Sequence, residues 1–206
     1  METIIFQLIV FLFSVIIHEI SHGYVAERLG DPTARLAGRL TLNPISHLDP
    51  VGSVFLPLML VLLNSPFVFG WAKPVPYDPR NLKDPRTGGG LIAAAGPASN
   101  LFLALIFGLL IRLNFAPQLI PLFGTVVIIN IFLALFNLLP IPPLDGSKVL
   151  FALLPDSPVV RSAAAITERY GFLILLLVIF TGAFRIIFPL VAYLTKLFAG
   201  GGTGIF

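Results

Sequence analysis

The chain comprises 206 residues, of which 57% are hydrophobic and only 11% are charged, and its mean hydropathy is +0.97. These values exclude an ordinary soluble protein and indicate a single domain, residues 1–206, embedded in a lipid bilayer. The net charge of +3 is too small and too dispersed to predict nucleic-acid binding, and the absence of cysteine excludes disulfides and thiolate metal sites.

Four apolar stretches reach the ~20 residues that a helix needs to cross a bilayer. They cover residues 3–27, 90–113, 119–140 and 170–195. The first is expected to be retained, because Glu2 stands where a signal peptide has its basic residues and no small-residue cleavage site follows. We therefore predict an all-α polytopic membrane protein with about four transmembrane helices. Its core would be residues 1–150, followed by a C-terminal surface helix and the last span (151–198) and a flexible tail (199–206).

The first predicted helix carries the sequence His18-Glu19-Ile20-Ser21-His22 near its end. Two histidines four positions apart lie on one helix face, one turn from each other, and can bind one metal ion between them. Glu19 is displaced around the helix, where it can reach a water molecule on the metal without being a ligand. The same pattern also arises by chance in helices whose histidines face water. Because ionisable side chains are costly in hydrocarbon and mark functional sites there, the metal-site interpretation is favoured.

The polar stretch that follows, residues 28–49, contains a short alternating pattern over Thr33–Leu42 that predicts a small β-hairpin. Its edge strand would capture an unwound substrate by β-augmentation. His47 lies in the same stretch, and its polar loop favours a solvated or capping histidine over a metal ligand. The next segment, Val51–Leu63, offers about thirteen apolar residues, which is short for a membrane span and fits either a re-entrant segment or a short fifth helix.

Asp145 is the candidate for a third metal ligand, since catalytic zinc sites generally have three. It follows prolines at positions 140, 142 and 143, which remove backbone donors and unwind the end of the 119–140 helix. A carboxylate presented from an unwound membrane helix is best explained by binding of a cation or polar group.

Three segments together resemble the site-2 protease family of intramembrane zinc metalloproteases. They are His18-Glu19-Ile20-Ser21-His22, Gly96-Pro97-Ala98-Ser99-Asn100 and the stretch from Asn137 to Gly146, and they occur in the order that the family shows. Residues 69–76 are similar to the compact bacterial branch of the family. The lack of a PDZ-sized insertion agrees with that branch.

The resemblance implies an activity and a role for each matching residue. One Zn²⁺ ion would be bound by His18, His22 and Asp145, and Glu19 would be the general base that activates the zinc-bound water. Asn137 would hold the scissile peptide or stabilise the oxyanion, although a helix-capping role is the simpler alternative. The substrates would be single-span membrane proteins, cut within their transmembrane segments.

Three other residues receive structural interpretations. Asn100 is expected to make interhelical hydrogen bonds, and Gly96 to permit close helix packing. Arg185 interrupts the last apolar stretch and is either a substrate-facing residue or, as we favour, an arginine that snorkels or marks a turn between two shorter helices.

The predicted ligands and the charges together select one topology. If Val51–Leu63 re-enters the membrane, the ends of the helices that carry His18 and Asp145 share one face; a full crossing would separate them. With re-entry, ten of the thirteen Lys and Arg residues lie on one side and two on the other, whereas a full crossing gives seven against five. The positive-inside rule then places the active-site side in the cytoplasm and the N-terminus outside.

Two other functions remain open. One is a catalytically silent membrane adaptor of the same fold, against which the intact candidate ligands argue. The other is a metal-ion transporter. Transporters usually show paired halves with broken helices in corresponding positions, and the sequence shows no such duplication. The sequence leaves the oligomeric state undetermined.

Overall fold

A computed structural model describes residues 2–63 and 72–201, except the side chains of residues 2, 3, 53, 54, 57 and 61. Within these ranges the protein is all-helical and contains no β-strand. The α-helices of the described part are α1 (Glu2–Arg28), α2 (Thr33–Leu36), α3 (Leu56–Leu62), α4 (Pro85–Arg112), α5 (Ile120–Asn137), α6 (Asp145–Leu153), α7 (Pro158–Thr181) and α8 (Phe188–Ala199).

Four helices in the described ranges are long and apolar enough to cross a membrane, which confirms the predicted polytopic all-α class. These spans are Ile4–Arg28, Pro85–Arg112, Pro117–Asn137 and Pro158–Thr181. Large apolar side chains on them face outward, including Ile4, Phe102 and Leu173, each more than half exposed. Such a surface is suited to lipid and not to water.

The predicted β-hairpin over Thr33–Leu42 is wrong. Residues Thr33–Leu36 form the short helix α2, and the backbone N–H of Arg39 closes the following turn on Ala34 O. Just before this helix, the side chain of Asp31 accepts a hydrogen bond from the backbone N–H of Thr33, a local bond that competes with strand pairing. A short alternating pattern did not outweigh this local bond. Capture of substrate by a strand at this position therefore has no basis.

The fifth segment is helical but short. A π-helical turn, Pro50–Phe55, leads directly into α3, and together they extend at most about 20 Å, less than the ~30 Å of a hydrocarbon core. The stretch begins just after His47, whose carbonyl oxygen accepts a hydrogen bond of 2.9 Å from the backbone N–H of Lys73. The chain therefore returns at residue 73 to the point from which it left. Residues 64–71 lie outside the described ranges.

The C-terminal region is divided differently from the prediction of a surface helix followed by a span over 170–195. Helix α7 is continuous, and Ser157 caps its start through a hydrogen bond from Val160 N. It ends where Gly182 adopts a left-handed conformation with φ of 71°, which glycine tolerates without strain. Arg185 lies exposed in the 3₁₀ turn Ala183–Ile187 that leads into α8. The favoured interpretation of Arg185, a turn between two shorter helices, matches this arrangement.

Helix α4 is the centre of the bundle and packs against α1, α5, α6 and α8. Its apolar core includes Ala104, Val127 and Ile131, which are completely buried between α4 and α5. Small residues on α4 allow its neighbours to approach closely. Helices α1 and α6 both pack on α4 in this way.

Candidate metal centre

Two histidines and one aspartate come together where α1, α4 and α6 meet. Nε2 of His18 lies 3.0 Å from Oδ2 of Asp145, and Nε2 of His22 lies 3.4 Å from the same oxygen. The three candidate ligand atoms all lie within 4.8 Å of one another. The structure thus brings the three predicted ligands together, and the two imidazole rings meet edge to face.

The hydrogen bonds of the two rings determine which nitrogen faces Asp145. Nδ1 of His22 lies 2.7 Å from the carbonyl oxygen of Ile92, which can only accept, so Nδ1 carries the proton. Nδ1 of His18 donates in the same way over 2.7 Å to the side-chain oxygen of Asn100. In its neutral form, each imidazole therefore presents the lone pair of Nε2 toward Asp145.

Neutral imidazoles that carry their proton on Nδ1 cannot donate a hydrogen bond to Asp145. Oδ2 of Asp145 is buried and has no hydrogen-bond partner, although both Nε2 atoms lie close to it. With both imidazoles neutral, three lone pairs converge, an arrangement that is repulsive unless a cation is shared. Two neutral imidazoles and one carboxylate are a typical donor set for catalytic zinc, so these residues fit the metal.

The local sequence explains how each ligand is held. Asp145 is the first residue of α6, directly after a tight turn in which Leu144 N donates to Ile141 O. On α4, Gly96 faces the two histidines: a Cβ atom there would lie 2.5 Å from Cε1 and Nε2 of His18. Only glycine allows α4 to approach α1 this closely, so the expected packing role of Gly96 is at the metal cluster itself.

Glu19 lies outside the three-residue cluster and contacts a different part of the chain. Its Oε2 accepts a hydrogen bond of 2.9 Å from the backbone N–H of Val75. Val75 belongs to an irregular segment, residues 72–77, which Arg39 fixes by donating to the carbonyl oxygens of Lys73 and Pro74. We call residues 72–77 the Val75 segment.

Two further predicted candidates, Asn137 and His47, make hydrogen bonds to backbone oxygens. Asn137 is the last residue of α5, and its Nδ2 donates to Leu133 O one turn earlier in the same helix. His47 is only 3% exposed and its Nε2 donates to Thr41 O, so it is neither a solvated residue nor part of the three-residue cluster. Its polar sequence context led to the expectation of exposure.

Sequence reasoning missed several buried polar residues. Arg39, counted only as a topology charge, is 7% exposed and also donates to Ser46 O. Asp31 is fully buried and accepts hydrogen bonds from Asn81 and from the backbone of Asp78. The Gly-Asp-Pro-Thr sequence at 30–33 is a signal for such an aspartate in a turn. No local pattern distinguishes Arg39 from the neighbouring exposed arginines.

The Asp31 hydrogen bonds have an electrostatic consequence. Burial by itself raises the pKa of the Asp31 carboxyl, but hydrogen bonds from Thr33, Asn81 and Asp78 favour the charged form. Together these bonds outweigh burial and hold the pKa of Asp31 below its ordinary value.

A cavity of about 690 Å³ opens between α6, the start of α4 and the first half of α7. Pro142, Pro143 and Ser147, which flank Asp145 in the sequence, form part of its wall. Its lining also includes charged side chains of both signs, namely Arg86, Lys148, Asp156, Arg161 and Glu168.

Comparison with known proteins gives a consistent result. Residues 114–178 match the family described as Peptidase family M50. The chain is 42% identical over 186 residues, 85% of its length, to a Bacillus subtilis protein named as a zinc metalloprotease, YwhC, of which the match covers 80%. It is 31% identical over 84% of its length to the Mycolicibacterium smegmatis zinc metalloprotease Rip2, and 35% identical over 82% to Rip2 of Mycobacterium tuberculosis.

These relatives differ in length and in what their names establish. The matches cover 65% and 64% of the two Rip2 proteins, so the chain spans about two thirds of their length. All three names assign the metalloprotease activity provisionally. No solved structure matches the chain significantly.

Proposed function

The chain belongs to peptidase family M50, the site-2 protease family, and from this premise we propose that it is an intramembrane zinc endopeptidase. The observation that carries the proposal is the convergence of both Nε2 atoms on the unpartnered Oδ2 of Asp145. These three atoms would hold one Zn²⁺ ion. When bound, zinc would supply Lewis-acid activation of water and of the scissile carbonyl.

Glu19 is proposed as the general base. It neighbours the cluster on α1 yet is not one of the three converging groups, so its carboxylate is free to accept a proton from water and return it to the leaving amine. The hydrogen bond from Val75 N fixes one of its two oxygens, which restricts the rotamers of the side chain. The other oxygen remains for the proton transfer.

Asn137 is proposed to act on the substrate and not on the metal. Its amide is half-buried at the end of α5, eight residues before Asp145. The bond to Leu133 O uses one amide hydrogen. The second hydrogen can stabilise a developing oxyanion, a contribution that is typically about 2.7–4 kcal/mol.

The proposed topology places the cluster at the cytoplasmic side, with the N-terminus outside. The hydrogen bond between Lys73 N and His47 O supports re-entry of the segment between them, because the segment starts and ends at one point. Re-entry in turn gives the distribution of ten cationic residues against two, which the positive-inside rule favours.

The proposed substrates are transmembrane segments of single-span membrane proteins. Exposed apolar side chains on the four candidate spans support a reaction within the bilayer. A substrate helix must unwind before its peptide bond reaches the cluster, because helical carbonyls are held in internal hydrogen bonds.

The decisive test compares wild type with Glu19→Gln in detergent against a panel of transmembrane peptides, with zinc content measured by mass spectrometry. Wild type should cleave at least one peptide and Glu19→Gln none, while both retain one zinc ion. Glu27→Gln, an isosteric change two turns further along α1, is the matched control and should remain active. Zinc binding without any cleavage would indicate the silent adaptor, and zinc flux in liposomes the transporter.

A further inference from the structure

A polar network is buried between α1, α4 and α5 and connects to His18 of the three-residue cluster. Ser14 is 4% exposed, and Asn100 and Asn130 are both completely buried. Burying an amide among apolar helices is unfavourable unless its hydrogen bonds are satisfied. Asn130 and Ser14 have no part in the mechanism proposed above.

The network has a fixed direction that begins at Asn130. Its Nδ2 donates to the backbone oxygen of Val126 and to Oγ of Ser14, both over 2.9 Å. The carbonyl oxygen of Val126 can only accept, so the NH₂ group of Asn130 must face it. The side-chain oxygen of Asn130 therefore faces Asn100.

Asn100 connects Asn130 to His18, the first of the candidate metal ligands, and the donor–acceptor direction continues through it. Nδ2 of Asn100 donates to Oδ1 of Asn130 over 2.9 Å and to Ser14 O over 3.3 Å. The remaining amide atom of Asn100, its oxygen, thus faces His18 and accepts from Nδ1 over 2.7 Å. His18 must then carry its proton on Nδ1, which leaves the lone pair of Nε2 for the cluster.

From this chain of bonds we propose that Asn130 is a positioning residue, which selects the tautomer of His18 by fixing the orientation of the Asn100 amide. Without Asn130, the longer bond to Ser14 O is the one donor contact of that amide left among the described residues. A rotated amide would present its NH₂ group to Nδ1, and the proton of His18 would move to Nε2. A protonated Nε2 cannot bind a metal ion.

The tautomer can be read directly by ¹⁵N NMR of histidine-labelled, metal-free protein in detergent, well above the usual histidine pKa of about 6.5. The signal of His18 is assigned by its loss in His18→Gln. In wild type it should show protonated Nδ1, and Asn130→Leu should add a population with protonated Nε2. Asn130→Asp is expected to keep the wild-type tautomer, because one of its side-chain oxygens still accepts from Asn100.

Zinc affinity, measured by competition with a chelator, is the second readout and alone rests on the proposed function. Asn130→Leu should weaken it about tenfold, the lower end of the range for residues that orient metal ligands. Thr195→Val is the matched control: Thr195 is 1% exposed on α8, and its hydroxyl donates only to Val191 O in the described structure. It should change neither readout.

The outcomes separate the two proposals. A single Nδ1-protonated tautomer in Asn130→Leu, or a loss of that tautomer in Thr195→Val as well, would overturn the role of Asn130. If Asn130→Leu does not fold, Asn130→Asp still decides, since failure to keep the wild-type tautomer counts against the relay. Failure of wild type to bind zinc would refute the proposed function and leave the tautomer result valid.

Discussion

Replacing Gly96 with alanine should distort the three-residue cluster of candidate metal ligands without removing any ligand. The new methyl carbon would lie 2.5 Å from two atoms of the His18 ring and 2.6 Å from Cε1 of His22. Contacts of this kind need about 3.5 Å or more, so the rings or the helices must move apart by about 1 Å. Metal-ligand distances tolerate deviations of only about 0.2 Å. Overpacking of this size costs about 1–3 kcal/mol, which corresponds to zinc affinity weakened about 5- to 150-fold.

Chelator competition measures the affinity, and Gly89→Ala on the same helix supplies the control. A Cβ at Gly89 would meet only the Tyr77 hydroxyl at 3.7 Å, an ordinary contact, and alanine stabilises a helix relative to glycine by about 1 kcal/mol. Gly89→Ala should therefore bind zinc like wild type. Equal zinc affinity in the two variants would refute the inference that Gly96 permits the cluster to form.

Three further predictions follow from individual contacts. Asp145→Asn removes the only carboxylate of the cluster and should abolish stoichiometric zinc binding, as measured by mass spectrometry; a full complement of zinc would exclude Asp145 as a ligand. Arg39→Met should lower the kcat/KM for peptide cleavage at least tenfold with zinc retained, because the Val75 segment loses the hydrogen bonds that hold it. Arg80→Met, at an exposed arginine, is the matched control and should have no effect. Equal activity of the two variants would contradict this reasoning. Asp31→Asn should lower the thermal unfolding temperature at neutral pH. The pKa of the Asp31 carboxyl is depressed in the folded state, so its charged form stabilises the fold above the unfolded pKa of about 3.8. The difference in unfolding temperature from wild type should therefore shrink as the pH falls below that value. A difference independent of pH would show that the charge of Asp31 is not responsible.

The accuracy of the sequence predictions depended on how local each feature was. Three of the predicted spans agree closely with α1, α4 and α5, because uninterrupted hydropathy over about 20 residues is a strong local signal. The last span was misplaced because helix α7 begins twelve residues before its apolar part, at the Ser157 cap. Hydropathy detects the hydrocarbon-facing part of a helix, whereas hydrogen bonding determines where the helix begins.

The hairpin failed for a related reason. Alternation over Thr33–Leu42 is typical of a strand, but Asp31 forms a local bond with Thr33 and also accepts from Asn81, fifty positions away. A strand also needs a partner strand, and the described part of the chain offers none.

The sequence by itself determined the membrane setting, the all-helical class and the location of His18, Glu19 and His22 on one helix, because composition and helical periodicity are local properties. Only the tertiary structure decided that Asp145 meets both imidazoles through Nε2. It also revealed the contacts of Val75 with Glu19 and of Asn100 with His18, which join residues 56 and 82 positions apart. Such contacts depend on how closely α1, α4 and α6 pack, and that packing is a property of the whole bundle.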